Sequence, residues 1–138
     1  MKNQVAKGIE LLEDIPGEGL AADKDTNVAY NARMFLRKGD EVTGDARSIA
    51  LYGAQLDTRT INGVELIDHK LLLGKRRAIA GVEKSLYGMQ PGGYREVLVS
   101  AHLAYGEAGI KDLIPPNAML RIQLWVQDVQ VAIWPPPA

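Results

Sequence analysis

The residues from 27 to 36 constrain the fold of this chain more than any other segment. The stretch "NVAYNARMFL" places an apolar side chain at every second position. A period of two is typical of a strand with one buried face, because successive side chains of a strand point to opposite sides of the sheet. The apolar positions of this predicted strand are Val28, Tyr30, Ala32, Met34 and Leu36.

Several other segments have strand character, and only one has a helical period. Residues 81–89, "GVEKSLYGM", carry apolar side chains at Val82, Leu86 and Met89, which predicts a short amphipathic helix that ends at "QPGG". The chain therefore predicts an α+β fold, a curved antiparallel sheet wrapped around one short helix. The further predicted strands are residues 8–14, a return strand that starts at Glu41–Val42, and residues 69–74, 94–100 and 119–129.

Two segments, about 44–68 and about 130–138, do not fit this pattern of strands and one helix. Residues 44–68 contain "SIALYGAQL" and "RTINGVELI", both with β character, and Asn62–Gly63 is a strong hairpin signal. We interpret about 44–68 as an inserted hairpin or a long excursion within a single domain of residues 1–138. The proline-rich end, about 130–138, is expected to be an extended tail. Pro16–Gly17 predicts a type II turn with a positive φ at the glycine.

Charge and cysteine usage exclude several functions. The chain has 138 residues, a net charge of −1 and no cysteine. The charge gives no reason to expect binding to nucleic acid or to an anionic membrane. Without cysteine there is no disulfide, no thiolate nucleophile and no Cys-based metal site. No segment has the pattern of a signal peptide or a membrane span, so we expect a soluble, cytoplasmic protein.

Familiar enzyme motifs are absent. The two histidines, His69 and His102, show no zinc-ligand spacing, and Ser100 lacks the G-x-S-x-G surroundings of a hydrolase nucleophile. There is no phosphate-binding loop and no dinucleotide fingerprint, so no cofactor and no metal are predicted. Such a chain either binds something or catalyses a reaction that needs no acid, base or metal.

Residues 73–129 carry a series of motifs in a fixed order. They are "GVE", "GMQPG", the strand "YREVLVS", "AYGEAG", "IPPNAML" and a final strand. In order and spacing they resemble the FKBP-type peptidyl-prolyl cis-trans isomerases. The resemblance is strong from Leu73 to Val129, weaker from Gly8 to Thr43, and absent from Gly44 to Asp68.

The resemblance implies a fold and a chemistry. The fold is an antiparallel sheet of five or six strands around one short helix. The reaction is rotation about Xaa-Pro bonds, whose barrier of about 18–20 kcal/mol comes from amide resonance. The twisted transition state is less polar than the planar amide, so an apolar pocket with a few hydrogen bonds favours it without a nucleophile. The implied partners are proline-containing peptides or unfolded proteins.

The resemblance also assigns candidate site residues. Tyr105 would offer its hydroxyl to the peptide carbonyl, and Leu113 and Ile114 would line the pocket from the same loop. Tyr30 matches a tyrosine on the pocket floor. Ile79 matches an isoleucine whose backbone N–H holds the ligand.

Other positions depart from the family pattern. Val82 stands where tryptophan is usual, and Val42 and Ile122 stand where the family has aromatic residues. Thr43 occupies the position of a pocket carboxylate. A second register would instead put Leu56–Asp57 at this place, but "KGDEV" favours Val42 and Thr43 because it lies at the family's distance after Tyr30.

These departures leave two functions open. The first is a prolyl isomerase with a small aliphatic pocket and weak to moderate activity. The alternative is a catalytically weak or inactive FKBP-like module that binds a peptide or protein partner, with residues 44–68 as a contact surface.

Overall fold

The computed structural model describes residues 4–42 and 57–132 of the chain. Six antiparallel strands form one sheet in the order β1-β2-β7-β8-β3-β6, and β4 and β5 form a separate hairpin. The predicted α+β architecture, with one short helix against an antiparallel sheet, is confirmed. The elements are β1 (Gln4–Ala6), β2 (Ile9–Ile15), β3 (Thr26–Leu36), β4 (Thr58–Ile61), β5 (Val64–Ile67), β6 (His69–Leu72), α1 (Ala80–Leu86), β7 (Tyr94–Val99), a 3₁₀ turn (Ala101–Leu103) and β8 (Leu120–Val131).

The alternating segment forms β3, which lies between β8 and the edge strand β6. It pairs with β8 along its whole length, from Thr26 opposite Val131 to Leu36 opposite Leu120. The pairing register shifts by one residue between Ala29 and Tyr30, and such a bulge keeps side chains on the required face. The predicted tail began too early, because residues 130 and 131 still pair with β3. Residues 133–138 lie outside the described part of the chain.

The helix α1 packs on the concave face of the sheet. Val82 and Leu86, the apolar pair that predicted the helix, are 2% and 0% exposed. A side chain at Gly81 would collide with Val99, so the glycine permits close packing of helix and strand. At the other end, Arg95 of β7 donates hydrogen bonds to the carbonyl of Ser85 at 2.8 Å and that of Tyr87 at 3.0 Å. Those carbonyls belong to the end of the helix, where backbone partners are missing.

The β4–β5 hairpin is the described part of the predicted insertion. Its turn is Asn62–Gly63, as predicted, and both residues have positive φ. The buried amide of Asn31 on β3 donates hydrogen bonds of 2.7 Å to the carbonyl of Ile67 and to Asp68. Burial alone would raise the pKa of Asp68, but hydrogen bonds from Arg59 and Asn31 and the charges of Arg59 and His69 lower it on balance.

One local prediction was wrong, and another falls mostly outside the described residues. Gly17 does not have a positive φ, and the first positive φ after Pro16 is at Gly19. Gly17 is instead a contact point, because a side chain there would collide with the backbone of residues 90–93. Of the return strand expected from Glu41–Val42, only these two residues are described, and Glu41 forms an isolated antiparallel bridge with Phe35.

Candidate functional site

The sequence-predicted site residues gather on the concave face, in and around the main apolar core. Thr43 is the exception, because it lies outside the described residues. Three of the predicted residues, Ile79, Leu113 and Tyr105, are half-buried and pack against this core. The remaining five are buried members of the core: Tyr30, Val42, Val82, Ile114 and Ile122.

The base of the site is aliphatic and closed. Ile122 is fully buried on β8, between Met34 of β3 and Val97 of β7. Val82 of the helix is buried in the same core. The amide of Val42 donates a 2.8 Å hydrogen bond to the carbonyl of Met34, which fixes the backbone there. We call the buried side chains of Ile122, Val82 and Val42 the apolar floor. The half-buried residues Ile79, Leu113 and Tyr105 are partly accessible to solvent.

Tyr30 has an aromatic neighbour that sequence reasoning missed. His69 begins β6 directly opposite Tyr30, and the two rings stack with centroids 5.1 Å apart and planes 26° apart. The signal was available, because His69, Leu71 and Leu73 alternate in "HKLLL" and therefore share one face. The pairing of β6 with β3 could not be read from that segment alone.

Within the described residues, the backbone N–H of Ile79 has no acceptor. Its carbonyl accepts hydrogen bonds of 3.1 Å from the amides of Val82 and Glu83, which start the helix. Its own N–H donates to no other group in the described part of the chain. An unpaired amide on a half-buried residue is a ready donor for a peptide carbonyl.

The loop that carries Tyr105 is held by its own backbone. Ile110 and Ile114 exchange two hydrogen bonds of 2.8 Å, and the amide of Gly109 donates to the carbonyl of Tyr105 at 3.0 Å. A side chain at Gly109 would collide with the carbonyls of Ile114 and Pro115, so the tight loop requires glycine there. These hydrogen bonds fix the backbone of the loop that carries Leu113 and Tyr105.

The hydroxyl of Tyr105 is suited to donate. Burial raises the pKa of Tyr105 above its ordinary value, so the phenol remains protonated at neutral pH. Its oxygen has no hydrogen-bond partner among the described residues. Tyr105 and the amide of Ile79 are thus two uncommitted donors beside an apolar floor.

The second register considered for the carboxylate position receives no support from the position of Asp57. Asp57 is exposed, and its carbonyl accepts a 2.9 Å hydrogen bond from the amide of Asp68 at the base of the hairpin. Leu56 lies outside the described residues. Within the described residues, no three His, Asp or Glu side chains cluster closely enough to hold a metal ion.

No helix in the described part of the chain is long and apolar enough to cross a membrane.

Comparison with known proteins gives one consistent family. The family model described as FKBP-type peptidyl-prolyl cis-trans isomerase matches residues 32–125. FK506-binding protein 1A of Neurospora crassa is 30% identical over 84 residues, covering 61% of this chain and 68% of that protein. Peptidyl-prolyl cis-trans isomerase FKBP10 of Homo sapiens is 32% identical over 95 residues, covering 69% of this chain. The match spans only 16% of that human protein, and 10–12% of the rodent FKBP9 proteins.

Solved structures show the same fold. The crystal structure of FkpA from Escherichia coli aligns with a TM-score of 0.69 at 22% identity, over 96% of this chain and 53% of that one. A peptidyl-prolyl cis-trans isomerase from Pseudomonas syringae aligns with a TM-score of 0.69 at 22% identity, over 94% of this chain and 80% of that one. At this identity the likeness establishes the arrangement of the sheet and helix.

Proposed function

This chain belongs to the FKBP-type peptidyl-prolyl cis-trans isomerase family, and from that premise we propose that it catalyses the cis–trans isomerisation of Xaa-Pro peptide bonds. The observation that carries the proposal is the pair of uncommitted donors beside an apolar floor. The Ile79 amide and the Tyr105 hydroxyl have no partner in the described part of the chain. Proline-containing peptides or unfolded chains are the proposed substrates.

The apolar floor would act on the electronic structure of the amide. Amide resonance places partial charges on oxygen and nitrogen, and water stabilises those charges. The twisted transition state loses the resonance and much of that polarity, so a dry pocket disfavours the planar ground state more than the transition state. Only such differential stabilisation accelerates the reaction, at about 1.36 kcal/mol for each factor of ten.

The donors would hold the peptide while its amide rotates. We assign the amide of Ile79 to a carbonyl beside the proline and the hydroxyl of Tyr105 to a second carbonyl. Leu113 and Ile114 would contact the proline ring from the loop, and Tyr30 would lie on the pocket floor. No cofactor and no metal enter this mechanism.

The floor also sets the strength of binding. Val82, Val42 and Ile122 offer less contact area than aromatic rings, which bury about 150–250 Å² each. We therefore propose a weaker hold on proline, expressed as a high KM rather than as loss of the rotation step. Thr43 lies outside the described residues, and we propose that it occupies the position of the family's pocket carboxylate. We also propose a cytoplasmic location.

The test is exchange spectroscopy by NMR on a short Leu-Pro peptide, because the uncatalysed exchange takes tens to hundreds of seconds. Wild type should accelerate the exchange. Tyr105→Phe should lower kcat/KM by about fivefold to tenfold, the effect of one hydrogen bond. The matched control is Tyr94→Phe, which removes a hydroxyl from the outer face of the sheet, where it bonds Glu96 at 3.4 Å.

Three outcomes separate the two functions. Acceleration that Tyr105→Phe reduces and Tyr94→Phe leaves unchanged would support the isomerase and its site. Chemical-shift changes of the peptide without faster exchange would favour a non-catalytic binding module. Equal effects of the two substitutions would remove Tyr105 from the mechanism.

A further inference from the structure

The loop between β6 and α1 carries three consecutive exposed cations. We call residues 74–79 the basic loop. Lys75, Arg76 and Arg77 are exposed on it, and Lys84 is exposed on the adjoining helix. Lys75 faces Asp25 at 3.6 Å. The other three cations have no ion pair and no side-chain hydrogen bond in the described ranges 4–42 and 57–132.

A cavity of about 730 Å³ lies against the basic loop. Ala78 and Ala80 line it, and these residues flank Ile79, whose side chain packs on the core instead. The cavity is therefore adjacent to the peptide-binding donor assigned above. Its lining residues are Gly74, Arg76, Ala78, Ala80, Glu83, Lys84 and Tyr87.

One of these cations has an uncommon backbone conformation. Arg76 has a φ of 55°, a left-handed conformation that long side chains rarely adopt. Such conformations persist where the surrounding structure determines them, and they are concentrated at binding and switch regions. Here the left-handed turn lies at the edge of the cavity and Arg76 is part of its wall.

The accessible groups of the cavity are hydrogen-bond donors. Glu83 is the one carboxylate of the lining, but it is buried and its Oε1 accepts a 2.9 Å hydrogen bond from the amide of Gly74. Its Oε2 is buried and has no partner in the described residues. Burial, Glu83 and the two acidic residues Asp23 and Asp25 raise the pKa of Tyr87, so its phenol is protonated. Arg76, Lys84 and this phenol are the groups that a ligand meets.

We propose that this cavity is a subsite for an acidic side chain of the substrate peptide, next to the prolyl pocket. The proposal rests on the proposed isomerase function and names its preferred substrates, which carry Asp or Glu a few residues from the proline. The carboxylate would pair with the guanidinium of Arg76, a geometry that allows two parallel hydrogen bonds, and with the ammonium of Lys84. Arg77 would add long-range attraction, which salt screens.

The test compares peptides that differ only in charge. Each peptide contains Leu-Pro and has a single Glu at one flanking position, and its partner has Gln at the same position. The proteins are wild type, the double variant Arg76→Gln with Lys84→Gln, and a control that removes two other exposed cations, Arg37→Gln with Lys38→Gln. The control cations and the basic loop lie at opposite ends of β3. Arg37 and Lys38 follow Leu36, the last residue of the strand. The basic loop follows Leu73, whose amide donates a 3.0 Å hydrogen bond to the carbonyl of Thr26, the first residue of the strand.

At low salt, at least one Glu peptide should show a kcat/KM about threefold to tenfold above that of its Gln partner, as expected for one or two exposed ion pairs. The difference should disappear in the Arg76/Lys84 variant and at high salt, while the control variant keeps it. Rates with the Gln peptides should be the same in all three proteins.

The outcomes separate this subsite from the isomerase itself. If Gln peptides are catalysed but no Glu peptide is preferred, or if the preference survives in the Arg76/Lys84 variant, the subsite is wrong and the isomerase stands. If no peptide is catalysed, the isomerase is wrong, and peptide binding measured by chemical-shift titration decides the subsite. Tighter binding of a Glu peptide that the double variant loses would support the subsite, and equal binding of Glu and Gln peptides would overturn it.

Discussion

The two faces of the central sheet use their polar groups in opposite ways. On the outer face, Glu96 accepts hydrogen bonds from Arg121 at 2.8 Å and from Gln123 at 3.0 Å. On the concave side, the amide of Ile79 and the hydroxyl of Tyr105 donate to nothing in the described part of the chain. A polar group with its hydrogen bonds formed contributes to the stability of the fold. A half-buried donor without a partner carries a desolvation penalty, which a hydrogen bond to a ligand can offset. The contrast separates a face that stabilises the fold from one available for binding.

Aromatic rings, in contrast, have partners on both faces. On the outer face, the guanidinium of Arg121 lies 4.3 Å from the ring centre of Phe35, and Tyr94 and Trp125 pack with centroids 5.1 Å apart. Each of these rings has a partner within the sheet. On the concave side, Tyr30 and His69 stack with centroids 5.1 Å apart, whereas the buried side chains of Val82, Val42 and Ile122 are aliphatic.

The largest expected effect comes from two neighbours on β8 that face opposite ways. Ile122→Ala should reduce the free energy of unfolding by about 2–5 kcal/mol, because it empties space in a closed core. Gln123→Ala removes one hydrogen bond to Glu96 and should cost about 0.5–1.5 kcal/mol. Denaturant unfolding of both variants measures the difference. Similar losses for the two variants would mean that the outer network stabilises the protein as strongly as the core does.

An intermediate effect is expected where the outer face is covered by the hairpin. Asn31 is 0% exposed there, although it belongs to the polar side of β3. Asn31→Ala should cost about 1–3 kcal/mol, because the carbonyl of Ile67 loses its donor in a buried place. The comparison variant is Gln127→Ala, which removes only the 3.0 Å bond that Gln127 donates to Asn31. If Asn31→Ala is no more destabilising than Gln127→Ala, this amide does not hold the hairpin.

The effect that is smallest at neutral pH concerns Tyr94 and appears only at alkaline pH. Burial first, and the charge of Glu96 second, raise the pKa of Tyr94 to about 12 in the folded protein. Because the folded state favours the protonated phenol, its contribution to stability is complete below pH 10 and is lost as the pH rises toward about 12. Tyr94→Phe should therefore flatten the fall in unfolding free energy across that interval. Identical pH profiles of wild type and variant would contradict the assignment.

Local patterns predicted much of the fold. The alternation before Leu36 identified β3, the helical period around Val82 identified α1, and Asn62–Gly63 identified the hairpin turn. Each of these depends on residues that are close in the chain, where side-chain direction follows directly from strand or helix geometry.

Contacts between distant segments were not predicted. The type II turn expected at Gly17 was wrong, because Gly17 does not have a positive φ. Glycine is needed there for another reason, since a side chain would collide with the backbone of residues 90–93. Arg95 looked like an ordinary strand cation, yet it bonds the last carbonyls of the helix. His69 was considered only as a metal ligand, and the sheet places it against Tyr30.

The sequence by itself determined the class of fold, the family and the identity of the candidate site residues. Periodicity reports which face of a strand or helix is buried, and the ordered motifs from Leu73 to Val129 are specific as a set. The tertiary structure alone decided which donors remain without partners and which cations surround the cavity beside Ile79. The physical reason is that a group's hydrogen-bond partners and solvent access depend on segments far away in the chain, which only the folded sheet brings together.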